Sequence, residues 1–91
     1  MQEDKAKIAK FKDCVGKIVK KYREQNYQMS MNDFAYSYDF GKGNISRIER
    51  GILGMNLTTA YRLSEALGIS FVEFAQALQD ELGADFSFYD D

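Results

Sequence analysis

The run Ile45-Ser46-Arg47-Ile48-Glu49-Arg50-Gly51 constrains this chain more than any other stretch. Ile45 and Ile48 are three apart and share one helical face, while Ser46, Arg47 and Arg50 fall off it. Gly51 suits the left-handed position that ends a helix, because it alone adopts that conformation without a Cβ clash. The run therefore predicts a short helix, about residues 42–50, resting on two isoleucines and turning two arginines outward.

The flanking sequence supplies a core for that helix. Ile8, Phe11, Val15, Ile18, Val19 and Tyr22 recur at helical spacing and predict an amphipathic first helix over about residues 4–25, with lysines on its outer face. Asn26-Tyr27-Gln28 breaks it. Ser30-x-x-Asp33 then reads as an N-cap with an acid at the third helical position, and Phe34, Ala35 and Tyr38 give the second helix its buried side. Asp39 falls at the turn that follows, where Asp tolerates the left-handed region better than most residues. Beyond Gly51, Asn56 caps a fourth helix with apolar positions Leu57, Ala60, Tyr61, Leu63, Ala66 and Leu67, ended by Gly68. Ser70-x-x-Glu73 is a capping box opening a fifth helix through Phe71, Phe74, Ala77, Leu78 and Leu82, ended by Gly83. Strand periodicity is missing from all of these segments, so the expected fold is all-α, a compact five-helix orthogonal bundle. The expected division is a helical domain over 1–83 and an acidic aromatic tail over 84–91. In the tail Phe86, Phe88 and Tyr89 alternate with small or charged residues, as a short strand or a docking strip would.

Composition narrows the function classes. Ninety-one residues fit one domain, and a chain of that size buries roughly 60–65% of its unfolded surface, enough for a core without metal or disulfide staples. The single cysteine, Cys14, excludes an internal disulfide and lies one position from the apolar stripe of the first helix, as a small core residue would. There is no histidine, so His-based acid–base or metal chemistry is excluded, and no nucleophile–base pairing or metal cluster suggests an enzyme. No cofactor or metal is expected. No apolar run approaches the roughly 18 residues of a membrane span, and the N-terminus lacks an apolar stretch of signal-peptide length; the expected location is the cytoplasm. The net charge is −2, but it is unevenly spread. Residues 1–62 hold all twelve Lys and Arg against seven acids, a balance of +5, whereas residues 63–91 hold seven acids and no base. Such asymmetry suggests one face that attracts an anion and another that avoids it.

Four pieces, in order, carry a family resemblance: the basic first helix ending Tyr22-Arg23, then Ser30-x-x-x-Phe34-Ala35, then Ile45–Gly51, then Leu63-x-x-Ala66-Leu67-Gly68-Ile69-Ser70. In this order and spacing, residues 11–74 resemble the lambda-repressor-like helix-turn-helix domain of the Cro/C1 type, the XRE-family regulators. The resemblance implies a sequence-specific DNA-binding transcriptional regulator, a homodimeric repressor-type protein reading a palindromic site on double-stranded DNA with helix 42–50. It implies that Lys42, Gly43, Asn44, Ser46 and Arg47 face the bases or nearby phosphates. Ser30, Asn32 and Arg50, with the loop to Met55, would contact backbone phosphates. Glu49 and Arg23 would form a part-buried structural ion pair. Arg47 is the strongest candidate for base readout, since a guanidinium fits guanine O6 and N7 as a fork.

The chain also departs from the family pattern. Met31 stands where the second helix usually carries Gln, Asp39 where the turn usually carries Gly, and Gly41-Lys42-Gly43 where the reading helix usually starts with Ser or Thr. Two glycines weaken a helical first turn by up to about 1 kcal/mol each, and a lysine there opposes the helix dipole. These departures, with the acidic aromatic tail, motivate a second reading. The same fold would then be a protein-interaction module, antitoxin-like or anti-repressor, binding a protein partner through the C-terminal helix and tail.

Overall fold

The computed structural model describes residues 2–27, 29–41 and 43–89, with side chains described from Lys5 onward. Five helices follow in order: α1 (Gln2–Asn26), α2 (Met31–Ser37), α3 (Asn44–Glu49), α4 (Leu57–Ala66) and α5 (Phe71–Leu82). There is no strand among the described residues. The architecture is the all-α orthogonal bundle read from the helical periods and caps.

The caps form as their residue types dictate. Ser30 Oγ accepts from Asp33 N–H at 3.1 Å, and Asn56 Oδ1 accepts from Thr59 N–H at 2.8 Å. At α5 the capping box closes both ways, between Ser70 Oγ and Glu73 N–H and between Ser70 N–H and the Glu73 carboxylate. Three helices end in the same double bond. After α3, Gly51 N–H donates to Ile48 O and Ile52 N–H to Arg47 O; after α4, Gly68 and Ile69 repeat it; after α2, Asp39 and Phe40 do. Gly51 and Gly68 supply the left-handed residue twice, and Asp39, at φ 60°, supplies it the third time.

α1 is the backbone of the bundle, packing against both α3 and α5, while α2 packs on α3 and α4 on α5. Its buried face comprises Val15, Ile18 and Val19, with Cys14 beside them at 4% exposure. Phe34, Ile45, Ile48, Leu63 and Leu67 complete a core in which each is 2% exposed or less. An aromatic group floors the α2 side: Phe34 lies 5.1 Å from Tyr38, 5.9 Å from Tyr27 and 6.3 Å, stacked, from Phe40 (ring centroids).

Four expectations need correction. The third helix spans Asn44–Glu49, not 42–50, because Gly43 is its N-cap in the left-handed region and Arg50 its C-cap. Leu57 and Tyr61 were expected inside α4's apolar face. They are 73% and 53% exposed: Leu63, Ala66 and Leu67 take the core side of α4, and Tyr61 stacks on Phe71 at the start of α5 at 5.4 Å. Ile8 is 44% exposed because it stands on the wall of an open groove with Phe11, Leu53, Met55 and Phe88 rather than in the core. The tail is neither strand nor free strip: after a turn at Ala84–Asp85 it folds back on α1, with Phe86 and Phe88 at 6.3 and 5.8 Å from Phe11.

Candidate nucleic-acid interface

A helix of six residues cannot hold itself together in water, so α3 depends on what packs beneath it. Ile45 and Ile48 are 1% and 2% exposed and fix its inner face. At its C-terminal end the packing is closer still. A Cβ built on Gly16 of α1 would lie 2.5 Å from the carbonyl oxygens of both Ile48 and Glu49, so only a glycine allows α1 and α3 to cross there. Gly51 abuts the same helix: its Cβ would meet Asp13 Cα at 3.0 Å, at a φ of 74° that already disfavours any other residue.

The same end carries the one buried ion pair described. Arg23 Nε donates to Glu49 Oε2 at 2.6 Å and Nη2 donates to Oε1 at 3.0 Å, a bidentate fork, while Nη1 donates to Met29 O at 3.0 Å. The two side chains are 9% and 5% exposed. The fork with Glu49 raises the Arg23 pKa further above its ordinary value, so the guanidinium stays charged. One contact network thus ties α1, the approach to α2 and α3 together.

The outer side of α3 is differently made. Arg47 and Arg50 are exposed and Ser46 is half-buried. Arg50 Nε makes only a long contact, 3.4 Å, to Ser46 O. Gly43 caps the helix at φ 83° with no side-chain hydrogen bond and with open space where a Cβ would be. Asn44 lies half-buried with its amide against Gly41, where a Cβ would come within 2.6 Å of Nδ2. Lys42 lies outside the described residues. Ser30 and Asn32, at the start of α2, are both exposed, and the Ser30 hydroxyl oxygen is engaged as the N-cap. Arg62 stands beside the α2–α3 turn, its Nη2 donating to Asp39 O at 3.2 Å and its guanidinium 5.0 Å from the Phe40 ring.

Charge is sorted by the fold. Lys21 of α1 shares a groove of about 360 Å³ with Glu73, Asp80 and Glu81 of α5. Burial pushes the Cys14 thiol pKa up, with Glu81 and Asp13 adding to it and Lys17 and Lys10 opposing. Lys21 of the basic first helix thus faces the acidic side of the fifth helix within one molecule. Arg47 and Arg50 of α3 lie outside that groove and are exposed. Sequence reasoning missed Gly16, a lone glycine in a helical pattern that marks a close crossing rather than a weakness. It also missed Asn26, whose Nδ2 donates to Leu67 O at 2.6 Å and ties the end of α1 to α4.

Two short helices across a tight turn, the second held by a buried face and a buried ion pair and showing arginines outward, define a helix-turn-helix protein. A helix-turn-helix family model matches residues 19–74, more than half the chain, and the chain belongs to the Cro/C1-type helix-turn-helix (XRE) family. Its domain is the kind carried by DNA-binding regulators. No curated protein and no solved structure matches the chain. Among the described residues no helix is long and apolar enough to cross a membrane.

Proposed function

We propose that this protein is a sequence-specific transcriptional regulator of repressor type that docks α3 in the major groove of double-stranded DNA. One observation carries the reading: α3 is clamped from behind by Ile45, Ile48 and the Arg23–Glu49 fork, while Arg47 and Arg50 stand exposed on its free side. Arg47 reads a base edge, with Ser46, Asn44, Gly43 and Lys42 lining the approach. Ser30, Asn32 and Arg50 contact phosphates on either side. Two copies form a homodimer that sets their α3 helices one turn of DNA apart, about 34–36 Å, on a palindromic site. The exposed Leu57, Tyr61 and Val72, at 73%, 53% and 76%, support a second copy covering the α4–α5 face. We place the protein in the cytoplasm.

Selection of bound duplexes from a random library tests this. A palindromic motif is the expected result; failure to enrich any motif at low salt would sink the reading. Arg47→Ala should lose about 1–3 kcal/mol of discrimination at one base position. A uniform loss across sequences would make Arg47 a phosphate contact instead. The protein-interaction reading draws on the same exposed apolar side chains and on Met31, 37% exposed where the family pattern has a phosphate-bracing Gln. It would be favoured by a partner retained without salt-dependent DNA binding.

A further inference from the structure

The turn between α2 and α3 is braced from α4. Asp39, at φ 60°, is the non-glycine residue described at positive φ, in the left-handed region that costs an L side chain energy. Two backbone bonds tie this turn back to α2: Asp39 N–H donates to Tyr36 O at 3.4 Å and Phe40 N–H to Ala35 O at 2.8 Å. The Asp39 carbonyl is held from a different helix, for Arg62 Nη2 of α4 donates to it at 3.2 Å. The same guanidinium lies over the Phe40 ring, 5.0 Å from its centre. One side chain thus grips two consecutive residues of the turn.

The base of this grip is firm. Leu63 and Ser64, which follow Arg62 in the chain, are fully buried, and Ser64 Oγ donates to Ala60 O at 2.8 Å. The core therefore sets the Arg62 backbone, while the guanidinium reaches out to the turn. A planar guanidinium can hold a carbonyl with its edge and cover a ring with its face, which a compact ammonium cannot do. Phe40 is seated on its own side as well, stacked 6.3 Å from the buried Phe34 ring at an angle of 8°.

The turn passes its position on to α3. Gly41 O accepts from Asn44 N–H at 3.0 Å, so the first residue of α3 is bonded to the residue after Phe40. The Asn44 amide also packs against Gly41, 2.6 Å from where a Cβ would be. Gly43, the N-cap between them, adds no side-chain hydrogen bond. On this side α3 takes its place from the turn, and Arg62 ties the turn to α4.

We propose that Arg62 is a positioning residue for base readout: through the Asp39 carbonyl and the Phe40 ring it sets where α3 begins, and so how Asn44 and Arg47 meet the base edges, without touching DNA itself. The inference rests on the DNA-reading function proposed above.

Arg62→Ala removes both contacts, and Arg62→Lys keeps the charge but loses the planar fork. Affinity is measured for the duplex selected by the full chain and for an unrelated duplex, over a series of salt concentrations. In both variants the ratio of the two affinities should fall about threefold to tenfold, part of what one lost base contact costs. Affinity for the unrelated duplex and its salt dependence should hold, whereas a lost phosphate contact would lower the log–log slope by about 0.9. Without DNA, amide hydrogen exchange at Phe40 and Asn44 should quicken about threefold to tenfold in Arg62→Ala, with Ile48 and Leu67 unchanged. A preserved affinity ratio, or unchanged exchange at Phe40 and Asn44, would overturn the proposal. So would a lowered salt slope that lysine restores, which would make Arg62 a phosphate contact, or equal quickening at Ile48 and Leu67, which would make it a general stabiliser of the fold. If the full chain prefers no duplex over another, the DNA-reading function itself falls, whatever exchange shows, and this proposal falls with it.

Discussion

The two ends of α3 are built to opposite standards. At the C-terminal end, Gly16 lets α1 close to backbone contact, Arg23 and Glu49 lock a bidentate pair inside, and Gly51 completes a double carbonyl cap against Asp13. At the N-terminal end, Gly43 caps through backbone alone, with no side-chain bond and open space around it. The contrast teaches how a six-residue helix can serve as a reading head. One end sets its position relative to the core. The other, where backbone and side chains would approach a duplex, is kept small and lightly bound, so that contacts there can form without first breaking internal ones.

The sharpest way to break this comparison is at the ion pair. Glu49→Ala would leave the Arg23 guanidinium buried without its partner, and about 3–5 kcal/mol of stability should go. For a chain of this size that is a drop in Tm of at least about 12 °C. A loss near that of an exposed pair, under about 1 kcal/mol, would show that the fixed end is not fixed by this contact. Gly16→Ala comes next, because its methyl must displace two carbonyl groups; chemical denaturation should show about 1–3 kcal/mol lost.

The pair Gly51→Ala and Gly43→Ala sharpens the contrast directly. Both put a Cβ into the left-handed region, at about 1–2 kcal/mol. Only at Gly51 does the methyl also press on a neighbour, the Asp13 backbone. Gly51→Ala should therefore be the more destabilising of the two in the same unfolding assay, and equal losses would contradict the asymmetry.

The smallest effect samples the side of α1 turned toward the acidic fifth helix. Burial raises the Cys14 pKa above its ordinary value of 9.0, so the fold prefers the neutral thiol. The stability this contributes is fully present below about pH 9 and is lost as pH rises through the raised folded value. Cys14→Ala should flatten the decline that begins near pH 9. Above pH 10 Tyr27, raised by its hydrogen bond to Tyr38 and by burial, adds a decline of its own that the variant would keep.

Much of the scaffold was legible in the chain. Ser30, Asn56 and the Ser70–Glu73 box announced three helix starts, and Gly51, Gly68 and Gly83 three stops, because caps are local: a side chain and a backbone group two or three residues apart. The isoleucine spacing of α3 and the stripe of α1 were legible for the same reason. Less local features were not. Gly16 reads as a flaw in a helix until α3 is laid across it. Leu57 and Tyr61 carry a core-like period, yet they are 73% and 53% exposed, because Leu63, Ala66 and Leu67 take the core side of α4. The start of α3 was misplaced by two residues because Gly43 takes a left-handed turn that its neighbours' periodicity does not encode. Of the candidate interface, the outward arginines were readable from phase alone; the folding of Asn44 against Gly41 and the return of Phe88 to the side of Leu53–Met55 were not.

By itself, then, the sequence determined the helices, their caps and which residues of the third helix must turn inward, since hydrophobic phase and capping act over a few residues of chain. The tertiary structure alone decided three further things: that Gly16 would be the contact point for α3, that basic α1 would lie along acidic α5, and that the aromatic tail would return to Phe11. Each of these depends on groups that packing brings together from distant parts of the chain, and no local preference records such a meeting.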